Sequence, residues 1–323
     1  MKNLDKVIAV TVTFNDADFM LRCVNALLNQ TYPVDKIVVV DNNSNSDNKN
    51  ILKNITDERV LFVSLDDNLG GAGGFEAGMR YTKENLNADW YWLMDADAYP
   101  KEDCLELLLQ HKNDRNNIGF LAPLIYGTDL KEYQLYHHKR LAHFLERDIP
   151  VYSDVDSIPE VSEIEADAFV GPLFSKKTVD KLGIADGSLF IYGDDLEYTY
   201  RVTRQFSGLL IKKAIMYHRD QPASNGVQQP KNWWKDYYMY RNRLLFIAKY
   251  KSDSVQGCIG VFLTRLRCIK QILLASKISN PRLRKFRVNL IRLAFKDGST
   301  DKSGKTIDPN RFMVKILKLE KQG

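Results

Sequence analysis

Two aspartates two residues apart, Asp95 and Asp97, close the apolar run W-Y-W-L-M-D-A-D at 90–97. In an extended chain alternate side chains share a face, so both carboxylates project to one side and offer hard oxygen ligands suited to Mg²⁺ or Mn²⁺. An ion held there would bridge the phosphates of a nucleotide-diphosphate donor and neutralise the departing diphosphate. Two solvated acids in a turn would give the same spacing. His218, closing a strand expected over Leu209–Tyr217, is a further candidate ligand, although a strand-end histidine is more often structural.

A second acidic group, Gly193-Asp194-Asp195-Leu196-Glu197, follows the strand-like run Ser188–Tyr192. Adjacent carboxylates repel, which raises the proton affinity of one of them. A carboxylate of that kind facing a hydroxyl can take its proton as the oxygen attacks an anomeric carbon, and Asp195 is the favoured residue. The competing account is a helix N-terminus enriched in acids by the macrodipole.

The segment Asn68-Leu69-Gly70-Gly71-Ala72-Gly73-Gly74-Phe75 lets backbone approach a ligand and presents N–H groups to phosphate or ribose at a helix start. Arg80, two turns on, is placed to assist a phosphate. The segment is neither a Walker loop nor a G-x-G-x-x-G after the first strand, which argues against an NTPase and a nicotinamide-dependent dehydrogenase. Thr13, Asn15 and Asp16 end one expected strand and Asp41-Asn42-Asn43-Ser44 another. These polar side chains suit reading a base and ribose, and equally suit turn and cap chemistry.

The elements that must position these groups alternate in type. Strands are expected at Lys6–Asn15, Lys36–Asp41, Arg59–Leu65, Trp90–Asp95, Ile118–Ile125, Ile164–Val170 and Leu209–Tyr217. Helical spacing is read between them, at Ala17–Gln30, from the glycine segment to Asn85, and at Glu102–Lys112 and Ser175–Leu182. The pattern implies an α/β fold with a mostly parallel twisted sheet flanked by helices and ligands at the carboxyl ends of the strands. Residues 126–160, rich in Tyr, His and charge, read as a flexible or substrate-facing excursion. Helices are expected again at Trp233–Tyr250 and, broken near Asn280-Pro281, over Val255–Lys296.

Charge divides the 323 residues in two. Residues 231–323 hold 22 Lys+Arg against 6 Asp+Glu, whereas residues 1–230 hold 24 against 35. A catalytic domain over 1–230 and a basic helical region over 231–323 are expected. In the latter Ile259, Phe262, Leu266, Ile269 and Leu273 recur at helical spacing among Arg265, Arg267 and Lys270, which suits an in-plane helix on an anionic membrane. Packing on the catalytic domain or homo-oligomerisation would use the same stripe. Nucleic acid is not expected as a partner. The four cysteines are spaced for neither disulfides nor zinc, no apolar run reaches the roughly 20 residues of a membrane span, and a cytoplasmic protein is expected.

In combination V-T-V-T-F-N, V-V-V-D-N-N-S, N-L-G-G-A-G-G-F, W-L-M-D-A-D and G-D-D-L-E-Y resemble family 2 inverting glycosyltransferases of GT-A fold, over about residues 5–250. Within the family they look most like the galactofuranosyl- and rhamnosyltransferase branch. The resemblance implies that Asp95, Asp97 and His218 hold Mn²⁺ or Mg²⁺, that Asp195 is the base, and that Asp41 and Thr13 contact the nucleotide. Donor binding is further expected at Asn15, Asn43, Asn68, Gly70, Gly71, Gly73, Arg80, Asp95 and Ala96. Ala96 departs from the branch, which often has a middle Asp there; both flanking carboxylates remain. Asp194, and Tyr237 and Arg241 in Y-Y-M-Y-R-N at 237–242, are expected on the acceptor side.

The expected activity is transfer of galactofuranose from UDP-galactofuranose to a glycan or lipid-linked glycan in bacterial surface polysaccharide synthesis, peripheral to the cytoplasmic face of the membrane. A rhamnosyltransferase using dTDP-rhamnose is the nearest alternative, and a non-catalytic nucleotide-sugar-binding scaffold one of another class.

Overall fold

The computed structural model describes residues 4–219, 229–251 and 254–321. In chain order the elements begin β1 Val7–Thr13, α1 Ala17–Leu28, β2 Lys36–Asp41, α2 Ser46–Leu52, β3 Val60–Ser64, α3 Gly70–Asn85 and β4 Trp90–Asp95. They continue with β5 Ala98–Pro100, α4 Cys104–Gln110, β6 Ile118–Gly127, β7 Lys139–Leu141, β8 Asp148–Pro150, β9 Val161–Glu163 and β10 Val170–Ser175. Then come α5 Lys176–Leu182, α6 Asp194–Thr203, β11 Ser207–His218, α7 Trp233–Lys251, α8 Val255–Leu274, α9 Pro281–Ser299 and α10 Pro309–Glu320. The chain divides into two compact units: Met1–Arg140, Ile149–Gly187 and Asp194–Gln221 form the first, and Leu141–Asp148, Ser188–Gly193 and Pro222–Gly323 the second.

The first unit is built on one sheet in the order β3-β2-β1-β4-β10-β6-β11-β5, with β9 also pairing β11. Pairing is parallel through β3-β2-β1-β4 and between β6 and β11; β10 runs antiparallel to both neighbours. Successive residues of β1 feed opposite faces: Val7 and Ala9 pack with α1 residues such as Met20 and Leu27, and Ile8 and Val10 with Phe75 and Met79 of α3. Burial on both faces is why these strands read as nearly continuous apolar runs. A Cβ on Gly78 would lie 2.4 Å from Val10 Cγ1, and one on Gly74 2.4 Å from Val12 Cγ1, so these glycines let α3 sit close on β1.

Two expectations change. The strand expected at Ile164–Val170 is displaced: β9 precedes it and β10 begins at Val170, carrying Gly171 and Pro172 within it. Gly and Pro read as strand breakers, but a register irregularity between Val170 and Leu173 absorbs them. The strand-like run Ser188–Tyr192 instead holds a 3₁₀ turn at Gly187–Leu189 and then left-handed backbone at Phe190 (φ 68°), Tyr192 (φ 63°) and Gly193 (φ 89°). Three such residues break an extended chain.

In the second unit Phe190, Trp233, Tyr237, Tyr238, Leu290, Phe312 and Ile316 share a core. The break between α8 and α9 falls where Asn280-Pro281 predicts it: Asn280 accepts from the Arg282 and Leu283 amides, and Pro281 opens α9. Among the described residues no helix is long and apolar enough to cross a membrane.

Candidate active site

Strand register brings the polar strand ends to one edge of the sheet. Thr13 pairs with Asp41 across β1 and β2, and Val12 pairs with Asp95 across β1 and β4, so the carboxyl ends of three strands lie side by side. Beyond Asp95 a turn through Ala96 and Asp97 leads into β5, whose Ala98 pairs with His218. Each of Asp95, Asp97 and His218 offers one ligand atom, all within 4.8 Å of one another. His218 Nε2 lies 3.5 Å from Asp97 Oδ1. Two carboxylates and an imidazole are a donor set that Mn²⁺ or Mg²⁺ accepts.

Gln134, in the segment that reads only as an excursion, sets the chemistry of His218. Its amide nitrogen donates to the carbonyls of His218 (3.3 Å) and Arg219 (3.4 Å), which aims its Oε1 at His218 Nδ1, 2.7 Å away. That oxygen can only accept, so Nδ1 carries a hydrogen, and Nε2 is the nitrogen that faces Asp97, sharing a proton with it or, once that proton is lost, offering a lone pair to a cation. Tyr136 OH and His137 Nε2 approach the same oxygen, each at 3.1 Å. Burial, followed by the charges of His218 and His138, keeps His137 far below the usual imidazole range. Nothing in the sequence around Gln134 gives the contact away, because it joins residues 84 positions apart.

The acids are held against their own repulsion. Burial, then the charges of Asp97, Asp194 and Asp195, hold Asp95 well above the ordinary carboxylate range. Asp97 is also buried, but the hydrogen bond and charge of His218 outweigh that and keep it below the range. Asp194 is pushed up to about 8, by burial first and the charge of Asp195 second. The expected effect of neighbouring acids therefore falls on Asp194. Asp195, half-buried in the first turn of α6, accepts from the Leu196 amide at 2.7 Å. Thr199 ties this helix back: its Oγ1 donates to Asp195 O at 2.6 Å and accepts from the Asp167 amide at 3.0 Å. Asp16 is raised by burial and then by Asp97, with Arg219, 3.7 Å away, opposing.

At the nucleotide end of the site, Thr13 Oγ1 is buried with no hydrogen-bond partner among the described residues. Asp41 Oδ1 accepts from the Ser44 amide at 2.9 Å, and Oδ2 lies 3.8 Å from Lys49 Nζ. Asn15 (φ 57°) and Asn43 (φ 62°) adopt left-handed backbone and brace loops, Asn15 Oδ1 accepting from the Asn45 amide and Asn43 Nδ2 donating to Asp66 O. Asn42 joins the second strand to the glycine segment, donating to Asn68 Oδ1 and Gly70 O and accepting from the Leu69 amide.

The glycines divide by cause. A Cβ on Gly73 would strike Leu69 Cβ at 2.5 Å, so packing explains it, whereas one on Gly71 would meet nothing within 4 Å. Gly70 has φ 74°, opening the helix from a conformation glycine tolerates. Ala96 is buried in the core. Arg80 is exposed and pairs with Glu76 at 2.8 Å, a bond within α3.

Tyr237 and Arg241, expected on the acceptor side, lie away from solvent. Both are fully buried in the second unit. Arg241 donates to Gly304 O (2.5 Å), Leu189 O (2.8 Å) and Asn242 Oδ1 (2.8 Å), and Tyr237 OH to Asp297 Oδ2 (2.6 Å). Asn242 donates to the carbonyls of Leu189, Ile191 and Tyr192. Together they pin the left-handed segment before Gly193.

Comparison with known proteins agrees with this geometry. Residues 8–162 match the family model described as glycosyl transferase family 2. The galactofuranosyltransferase GlfT1 of Mycolicibacterium smegmatis is 27% identical over 262 residues, 75% of this chain and 83% of the relative. GalNAc-T7, solved with UDP, GalNAc and Mn²⁺, superposes with TM-score 0.58 at 15% identity over 93% of this chain, which spans 57% of that one. The mannosyltransferase PcManGT of Pyrobaculum calidifontis, solved with GDP-Man and Mn²⁺, gives 0.55 at 12% identity over 93% of this chain and 89% of its own. Residues 8–162 thus correspond to a glycosyl transferase family 2 domain, and the sheet order and structural neighbours give the chain a GT-A fold.

Proposed function

We propose that the protein transfers galactofuranose from UDP-galactofuranose to a hydroxyl of a glycan or lipid-linked glycan, with inversion, in the synthesis of a bacterial surface polysaccharide. The observation that carries the reading is the convergence of Asp95, Asp97 and His218 near Asp194 and Asp195 at the carboxyl edge of the sheet. Alignment with a relative named as a galactofuranosyltransferase over most of both chains supports the choice of sugar.

Mn²⁺ or Mg²⁺ held by Asp95, Asp97 and His218 would act as a Lewis acid toward the donor diphosphate. Gln134, by accepting from Nδ1, leaves Nε2 of His218 for that role. Thr13, Asn15, Asp41, Asn43 and Asn68 would frame the base and ribose, while Gly70, Gly71 and Ala96 let the donor approach backbone. Asp195 accepts the proton of the acceptor hydroxyl as its oxygen bonds to the anomeric carbon and the nucleoside diphosphate departs. Asp194 holds its proton near neutral pH and can donate to an acceptor oxygen. A lipid-linked acceptor would place the enzyme on the cytoplasmic face of a membrane, with the basic C-terminal region toward the surface.

Calorimetric titration of UDP-galactofuranose and dTDP-rhamnose, with and without Mn²⁺, tests the assignment. Manganese-dependent preference for the UDP donor is expected, and His218→Ala should weaken it. Preference for dTDP-rhamnose would move the sugar to rhamnose, and binding of neither would sink the donor assignment.

A further inference from the structure

Helix α8 is inside out. Its buried residues are Gly257, Gly260, Thr264 and Cys268, while Phe262 (57% exposed), Leu266, Ile269 and Leu273 (67% exposed) face outward. The orientation is fixed by close packing. A Cβ on Gly257 would fall 1.9 Å from Lys251 O, and one on Gly260 2.2 Å from Phe144 O, so only the small face fits inward. The spacing 262, 266, 269, 273 then aligns the large side chains in one outward stripe. A continuous exposed stripe of this kind marks a surface for a partner.

Charge selects the partner. Residues 254–296 contain ten Lys and Arg and no Asp or Glu. On α8 the exposed Arg265 and Lys270 flank the stripe on opposite sides, at helical offsets of three or four residues, and neither pairs with an acid among the described residues. A second copy of this face would set cation against cation. An anionic bilayer takes both features, the apolar side chains entering the acyl boundary and the basic heads remaining among phosphates. We infer that α8 is an in-plane docking helix for an anionic membrane, inserting Phe262, Leu266, Ile269 and Leu273. The inference names the surface for the membrane reading given above and is independent of the sugar assigned to the site.

Vesicle flotation of the full chain tests it, with phosphatidylcholine alone against phosphatidylcholine containing about 30% phosphatidylglycerol. Partition should be at least about tenfold higher on the anionic vesicles and fall with salt. Phe262→Ser with Leu273→Ser, and separately Arg265→Glu with Lys270→Glu, should each reduce it about tenfold or more. These side chains are exposed, so the melting temperature and nucleotide binding should be retained, and retained nucleotide binding separates a failed docking helix from a failed donor assignment. Equal partition of parent and both variants would overturn the inference. So would a dimer in light scattering that the apolar variant dissociates, which would assign the face to a second copy.

Discussion

Buried charge is handled in opposite ways in the core of the second unit and at the acid cluster of the first. In the second unit buried ions meet partners: Asp236 meets Arg287 at 2.6 Å, Asp297 accepts from Tyr237 and faces Lys302 at 3.7 Å, and Arg241 donates to carbonyls. In the first, Asp95 is surrounded by the like charges of Asp97, Asp194 and Asp195, with His218 the nearby basic group. Paired ions hold a fold in one geometry; unpaired like charges store a cost that a bound cation or a moving proton relieves. The contrast teaches that burial of a charged residue is a poor guide to function until its partners are known.

The largest expected effect is at the base. Asp195→Asn should lower transfer by about a thousandfold or more while leaving donor affinity within a few-fold, read from initial rates and calorimetry. Turnover within tenfold of the parent would remove Asp195 from the mechanism.

Arg241→Ala probes the other side of the contrast. It removes one of the donors to each of the Leu189 and Gly304 carbonyls and opens a cavity, so unfolding stability should fall by about 4 kcal/mol, measured by denaturant titration. Stability within about 1 kcal/mol of the parent would show that the buried cation of the second unit is not structural.

Asp194→Asn sharpens the comparison through pH. Because Asp194 titrates near 8 in the folded chain, against an ordinary value of 3.8, the native state keeps a proton that the unfolded state releases between those limits. Stability from this site therefore falls as pH rises through that window. With divalent ions chelated, the asparagine variant should gain on the parent by about 3 kcal/mol between pH 5 and pH 8, and parallel stability curves would contradict the raised proton affinity.

The smallest effect is expected at Gln134. Gln134→Leu frees His218 to take the other tautomer, and Mn²⁺ affinity should drop about 10- to 100-fold by direct titration of the protein without donor. An unchanged affinity would show that His218 needs no such partner.

Much of the first unit is readable along the chain because its signals are local. The βα alternation, the two acids at the end of β4 and the acids opening α6 each depend on residues a few positions apart, where strand and helix periods apply. The displaced β10 marks the limit of that logic: Gly171 and Pro172 argue locally against a strand, and only the pairing of β4 and β6 on either side holds them in one.

By itself, then, the sequence determined the order of elements, the acidity of two strand and helix ends, and the helical spacing of the apolar residues of α8. Tertiary structure alone decided that residues 95, 97 and 218 meet within 4.8 Å, that Gln134 orients the histidine, and that Arg241 is buried rather than facing a ligand. The reason is physical. Periodicity fixes which side chains share a face, whereas the distance between faces, and the partner a buried charge finds there, follows from how the sheet and its connecting segments pack.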